Sequence, residues 1–380
     1  MKIAVPKESV PNERRVALTP DAAAGLVKLG QEVLVEAGAG EGSFFADAAY
    51  EKAGARIVAD AWGAGDVVCK VQKPSAAEVD RLREGAVLIS FLQALGSPAL
   101  VQQLVARKVT SFGMEGIPRI SRAQKMDALS SQANIAGYKA VLIAAESLPK
   151  FFPMLMTAAG TVFAARVLVV GAGVAGLQAL VTARRLGAQV WGYDVRPVVK
   201  EQVESVGAKF LEFDLGVKDA EDKGGYARAL TPEQQRKQQE LLAERMKDFD
   251  VVITTALVPG RPAPRLVTKE TVAGMRPGSV IVDLAAEAGG NCELTRADEV
   301  VVAHGVTIHG PTNLPSTMPV HASQLYARNV SELLRECLNK EGALALDFGN
   351  EVLQGACVTH AGAVVSEAVR AVVAAGGASA

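Results

Sequence analysis

The stretch Ala165-Arg166-Val167-Leu168-Val169-Val170-Gly171-Ala172-Gly173-Val174-Ala175-Gly176 decides the fold. An apolar run rich in valine enters GxGxxG directly, and a helical stretch follows to about Leu186, an order that specifies a buried strand, a tight turn and a helix. Each glycine has a separate steric task. Gly171 permits the turn, Gly173 lets backbone approach a diphosphate, and Gly176 lets the helix pack closely on the strand. The diphosphate would rest on the helix N-terminus, where free amides and the macrodipole favour negative charge.

The next strand ends in Gly192-Tyr193-Asp194, which puts a carboxylate where it can accept both ribose hydroxyls of an adenosine. The same carboxylate would repel a 2′-phosphate, so NAD(H) is expected rather than NADP(H). Arg196 is the discordant residue, because an arginine nearby can hold that phosphate. A structural glycine turn with a surface Asp, or a flavin or adenosyl ligand, are the alternatives.

Outward from this motif, apolar runs alternate with amphipathic stretches, the pattern of parallel sheets with crossover helices. Expected strands are 2–5, 32–35, 66–71, 86–91 and 109–112, then 166–170, 189–193, 250–255, 279–284 and 306–309. A long helix is expected from Met126 to Leu148, with Leu129, Ala133, Ala136, Ala140 and Ile143 on one face, and a hairpin pairing Ala343–Phe348 with Val352–Thr359. The fold class is therefore α/β with two Rossmann-like lobes, parallel sheets and crossover helices. The NAD-binding lobe, 129–319, is inserted into a discontinuous lobe of 1–128 plus 320–380.

Composition narrows the function. The 40 Lys and Arg nearly balance the 41 Asp and Glu, which gives no broad electropositive face, so nucleic acid is not an expected partner. No run of about 18 apolar residues occurs, and the start, Met1-Lys2-Ile3-Ala4-Val5-Pro6-Lys7, lacks a signal-peptide core. A cytoplasmic chain without direct membrane insertion is the expectation. Cys69, Cys292, Cys337 and Cys357 stand far apart, and His304 and His309 would face opposite sides of a strand, so no metal site is expected.

Two further stretches carry polar chemistry. In Pro118-Arg119-Ile120-Ser121-Arg122-Ala123-Gln124-Lys125-Met126-Asp127-Ala128-Leu129-Ser130, a helix would set Gln124, Asp127 and Ser130 on one face, able to hydrogen-bond a nicotinamide carboxamide and ribose, or to face solvent. From Asp214 to Leu230 the chain is charged, with Gly224-Gly225-Tyr226 at its centre, and helix signals resume only at Thr231-Pro232-Glu233-Gln234. A lid over the cofactor and a plain surface insertion fit that stretch equally.

Pro6-Lys7-Glu8, Arg14-Arg15-Val16-Ala17-Leu18-Thr19-Pro20, the RISRAQKMDALSSQ run, Met156-Thr157-Ala158-Ala159-Gly160-Thr161, GAGVAG and the ITTALVPG and PGSVIVDL stretches together resemble the alanine dehydrogenase and transhydrogenase superfamily. Within it, the chain is similar to the NAD(H)-binding domain I of the proton-translocating NAD(P) transhydrogenases. The resemblance implies hydride transfer from NAD(H) here to NADP(H) on a partner β subunit, with protons passed by a membrane-spanning subunit. It also implies a homodimer, attached to the inner face of the cell membrane through its partners as the α1 subunit of a split enzyme.

For the site, the resemblance implies that Arg119, Gln124, Asp127 and Ser130 surround the nicotinamide and its ribose. Gly171, Ala172, Gly173, Val174, Gly176, Asp194, Val195, Arg196, Thr255, Ala256 and Leu257 would hold the rest of the nucleotide, with Tyr226 on the closing loop. Alanine dehydrogenase is the main alternative, and it needs a base. The positions at which that family carries Lys and His are Gln72 and Gln93, neither of which takes a proton at neutral pH, although Arg15, the grip for a substrate carboxylate, is present. Exchange of hydride between two nicotinamides needs no base, only distance, orientation and dryness. A non-catalytic NAD-sensing subunit is the third reading.

Overall fold

A computed structural model of the chain describes residues 1–216, 228, 230–258 and 260–377. It forms two compact units, Met1–Gln132 with Pro315–Ala380, and Ala133–Leu314.

The first unit begins β1 (Lys2–Val5), α1 (Pro20–Lys28), β2 (Glu32–Glu36), α2 (Asp47–Lys52), β3 (Arg56–Val58), β4 (Val67–Cys69), α3 (Ala76–Arg81), β5 (Val87–Ser90), α4 (Pro98–Ala106) and β6 (Thr110–Gly113). All six strands are parallel, in the order β6-β5-β4-β1-β2-β3. Alternate residues of each strand enter different cores: Ile3, Val5, Val33 and Val35 pack on one side, Ala4, Leu34, Val68 and Leu88 on the other. Near-continuous apolar strands are what a sheet covered on both faces requires. Helix starts are fixed locally. Thr19 accepts the Ala22 N–H with Pro20 in the first turn, and Ser75 with Glu78 closes a capping box on α3.

A 3-10 turn over Ser121–Met126 precedes α5 (Ala128–Ser147). The expected helix from Met126 is thus corrected: Asp127, with ψ 86°, is not helical. Its carboxylate accepts the Ser130 N–H at 2.9 Å, which starts the helix there. Gln124, Asp127 and Ser130 do not share a helix face. The expected apolar face is corrected as well. Leu129 is 38% exposed, whereas Ile135, Val141 and Ala144 are buried. In an alanine-rich helix close approach selects the face: a Cβ on Gly137 would collide with the Ala175 carbonyl.

The second unit contains β7 (Leu155–Thr157), β8 (Gly160–Val162), β9 (Arg166–Val170), α6 (Val174–Arg185), β10 (Gln189–Tyr193), α7 (Lys200–Ser205), β11 (Lys209–Phe210), α8 (Pro232–Met246), β12 (Val251–Thr254), α9 (Lys269–Gly274), β13 (Val280–Asp283), β14 (Val300–Ala303) and β15 (Val306–His309). Its main sheet runs β11-β10-β9-β12-β13-β15-β14, parallel except for β14, while β7 and β8 form a separate hairpin. Val167, Val169, Val251 and Ile253 face one core, and Leu168, Val170 and Val252 the other.

The chain continues through α10 (Pro319–Glu336), α11 (Glu351–Ala356), β16 (Cys357–His360), β17 (Ala363–Val364) and α12 (Glu367–Gly377), with β16 antiparallel to β6 at the edge of the first sheet. The hairpin expected from Ala343 to Thr359 is corrected. Asn350 accepts the Val352 N–H and caps α11, whose Val352, Leu353 and Ala356 are buried at helical spacing. The hairpin lies further on, at β16 and β17, turned by Ala361 and Gly362, both with positive φ. All four cysteines are free and buried, and burial pushes the Cys337 and Cys357 thiols up to about 12. Among the described residues no helix is long and apolar enough to cross a membrane.

Candidate functional site

In the second unit the strand order reverses between β9 and β12, the switch point outside whose carboxyl ends open α/β sheets take ligands. Val170 lies beside Thr254, so the two chains leave the sheet together. Gly171 turns at φ +100°, a Cβ there would strike the Thr255 hydroxyl, and that hydroxyl donates to the Gly171 carbonyl at 3.0 Å. A Cβ on Gly176 would collide with the same carbonyl. Protein atoms therefore account for both glycines.

Gly173 is different. Its φ of −75° and ψ of −168° suit any residue, and a Cβ would meet nothing within 4 Å. Absence of a side chain here serves something other than the fold, and open space before a helix start is what a close-lying diphosphate requires. Gly173 is also the N-cap of α6 and supplies no side-chain cap, so the first-turn amides have no intrahelical acceptor. These residues fit a dinucleotide diphosphate.

Asp194 follows β10. Its Oδ2 accepts the Ala172 N–H at 2.8 Å, and its Oδ1 accepts the Arg196 N–H at 2.9 Å. Arg196 adds two parallel bonds, Nε to Oδ1 and Nη2 to Oδ2, both 2.9 Å. Val195 between them is half-buried.

Thr255, Ala256 and Leu257 leave β12. Asn291, fully buried, accepts the Ala256 N–H at 2.9 Å and donates to the Ala256 and Pro264 carbonyls at 2.8 and 2.9 Å. Leu257 is left 46% exposed. Sequence reasoning missed Asn291; the signal available was the pair Gly289-Gly290 just before it, both at positive φ. Tyr226 and residues 217–227 and 229 of the expected lid lie outside the described residues.

In the first unit, Arg119 and Gln124 are exposed on the turn ahead of α5, while Asp127 and Ser130 bond one another, hydroxyl to Oδ2 at 2.5 Å. The turn is anchored from the far end of the chain. Arg122 reaches Glu351, Glu336 and Asn350, and Lys125 pairs with Glu332. Asn329 donates to the Lys125 carbonyl at 2.8 Å and accepts from Ser131 at 2.7 Å, spanning Asp127 on both sides. Asn329 was also missed, although a polar residue beside Tyr326, Val330 and Leu333 on a buried stripe is a legible signal.

Arg15 lies in the same unit, 4% exposed and clamped by the buried Glu13 through Nε at 2.8 Å and Nη2 at 2.6 Å, with Nη1 on Gln132 at 2.9 Å. Gln72 donates to the same Glu13 at 2.8 Å. Gln93 projects outward at φ +49°, and Glu115 accepts the Leu92 and Ala94 amides on either side of it. Burial raises the Glu115 carboxyl.

Paired Rossmann-like sheets with an open glycine turn at a switch point define the class of NAD(H)-binding, Rossmann-like oxidoreductases. Residues 4–136 match the N-terminal domain and residues 140–367 the C-terminal domain of alanine dehydrogenase/PNT. The chain belongs to this alanine dehydrogenase/PNT family. It is 50% identical over 379 residues to the first of the chains that make up the NAD(P) transhydrogenase alpha subunit of Rhodospirillum rubrum, covering 97% of this chain and 99% of that one. The crystal structure of transhydrogenase from Sinorhizobium meliloti aligns with a TM-score of 0.86 at 48% identity, over 96% of this chain and 100% of that one. "Alanine dehydrogenase 2" of Staphylococcus aureus is 33% identical over 97% of this chain and 95% of its own.

Proposed function

We propose that this chain is the NAD(H)-binding subunit of a proton-translocating NAD(P) transhydrogenase, and that the units 1–132 with 315–380 and 133–314 are its domains. The observation that carries the reading is the 50% identity, end to end, with a chain named as belonging to a transhydrogenase alpha subunit. When bound, the nicotinamide supplies the hydride that is exchanged with NADP(H) on a separate β subunit.

The residues of this chain bind and orient. The amides opening α6 hold the diphosphate, Gly173 provides clearance, and Asp194 takes the adenosine ribose, with Thr255 bracing the turn. Arg119, Gln124, Asp127 and Ser130 are assigned to the nicotinamide and its ribose, on a turn fixed by Asn329. No residue is assigned a proton, because hydride exchange between nicotinamides transfers none. We further propose a homodimer, bound at the inner membrane face through a membrane-spanning subunit.

Alanine dehydrogenase is the second reading, favoured by the 33% identity and by Arg15. The pairing of Arg15 with Glu13 weighs against it: the guanidinium is already neutralised, and Gln72 brings no second cation. The test is reduction of an acetylpyridine analogue of NADP by NADH, followed spectrophotometrically with and without the NADP-binding subunit. Activity only in its presence supports the assignment, and turnover of L-alanine by this chain alone refutes it. NADH binding with no transfer to any partner would leave the sensing role.

A further inference from the structure

Asp194 already holds four hydrogen bonds, the full acceptor capacity of a carboxylate. Two come from backbone amides and fix it against the glycine turn; two come from the guanidinium of Arg196 in the parallel fork that arginine forms with carboxylates. Both side chains are largely buried, at 7% and 14% exposure, so the pair is poorly screened. We propose that this pair sets the choice between NAD(H) and NADP(H), by making Asp194 both the receptor for the ribose diol and the restraint that withholds Arg196 from a 2′-phosphate. The inference rests on the nucleotide reading of the glycine turn.

A diol brings two donors and can replace the two guanidinium bonds one for one, leaving the backbone bonds in place. A 2′-phosphate brings only acceptors and negative charge. It cannot bond the carboxylate, and the guanidinium that would neutralise it is engaged. Removing the carboxylate alone therefore releases two phosphate donors together, the Arg196 fork and the Ala172 N–H. Arg196 is in this sense a specificity-determining residue acting through Asp194, and it competes with the diol rather than assisting it.

The test titrates NADH and NADPH separately into the full chain and its Asp194→Ala, Arg196→Gln and doubly substituted forms, by calorimetry, with circular dichroism verifying the fold. Asp194→Ala should weaken NADH and strengthen NADPH by about tenfold each, the scale of one charge-assisted pair. The double substitution should lose the NADPH gain, and Arg196→Gln should bind NADH at least as tightly as the parent. An Asp194→Ala protein with no NADPH gain, a double form that keeps it, or an Arg196→Gln protein with weakened NADH overturns the proposal. Asp194→Ser carries the same three arms should the alanine form not fold. If the parent associates with neither nucleotide, the underlying nucleotide reading fails instead.

Discussion

In both sheets the strand order reverses beside the first strand, between β1 and β4 in one unit and between β9 and β12 in the other, yet the two switch points are finished differently. In the first unit Glu8 follows β1, and its carboxylate takes the Val71 N–H at 2.6 Å and the Lys70 ammonium at 2.7 Å. Lys70 is fully buried, and burial raises the Glu8 carboxyl even against that partner. The following helix begins only at Pro20, with its amides capped by Thr19. In the second unit a three-residue turn, Gly171 to Gly173, separates β9 from α6, and the helix start has no side-chain cap. Topology offers two crevices of one kind. A crevice becomes a ligand site only where the chain brings a bare helix start to the strand end and commits none of its own carboxylates there.

The largest test of this contrast is Glu8→Ala. It strands the buried Lys70 with only Glu78, at 3.4 Å, and should cost about 3 kcal/mol or more in denaturant unfolding while leaving the NADH dissociation constant unchanged. A weakened NADH affinity without loss of stability would break the contrast. Gly173→Val is the complementary change. A side chain there meets no protein atom, so stability should hold while NADH affinity falls about a hundredfold, close to 3 kcal/mol. Unaltered titration of the nicotinamide fluorescence would remove the diphosphate from this turn.

Asn291→Ala sharpens the comparison by loosening the second crevice without entering it. Three lost bonds to Ala256 and Pro264 should weaken NADH about tenfold and cost about 2 kcal/mol of stability, read by calorimetry and urea unfolding. Wild-type affinity in a destabilised protein would reduce Asn291 to a fold residue.

The smallest effect concerns pH. His309, 2.8 Å from the Ser147 hydroxyl, has its pKa lowered by burial, which outweighs the nearby Glu146. The folded state thus prefers the neutral ring, so this contribution is intact above about pH 6.5 and is lost as pH falls through the lower folded value. His309→Gln should remove that slope from the acid side of the stability profile; a parallel profile would show that the ring does not contribute.

How much of this was legible in the residues depends on the distance over which each signal acts. The strand-turn-helix at Arg166 to Arg185 and the capping boxes at Ser75 and Thr231 are short-range patterns, and the elements formed there. The short strands β3, β7, β8, β11 and β14 gave no continuous apolar run, and β14 leaves Val300 and Val302 exposed. Asp127 shows the limit from the other side: its spacing to Gln124 suggested a helix face, but its carboxylate ended one structure and began the next.

The order of residues was enough for the class of this protein, because glycine sterics, strand periodicity and helix capping act within a few residues and leave a readable pattern. Which polar groups remain available was settled only by packing. Glu13 takes Arg15, Glu8 takes Lys70, Asn329 takes Lys125, and Asn291 takes Ala256, all through side chains whose hydrogen bonds are satisfied once the chain is packed. Buried polar atoms must find partners wherever the fold brings them, and residue spacing carries no record of which partner that will be.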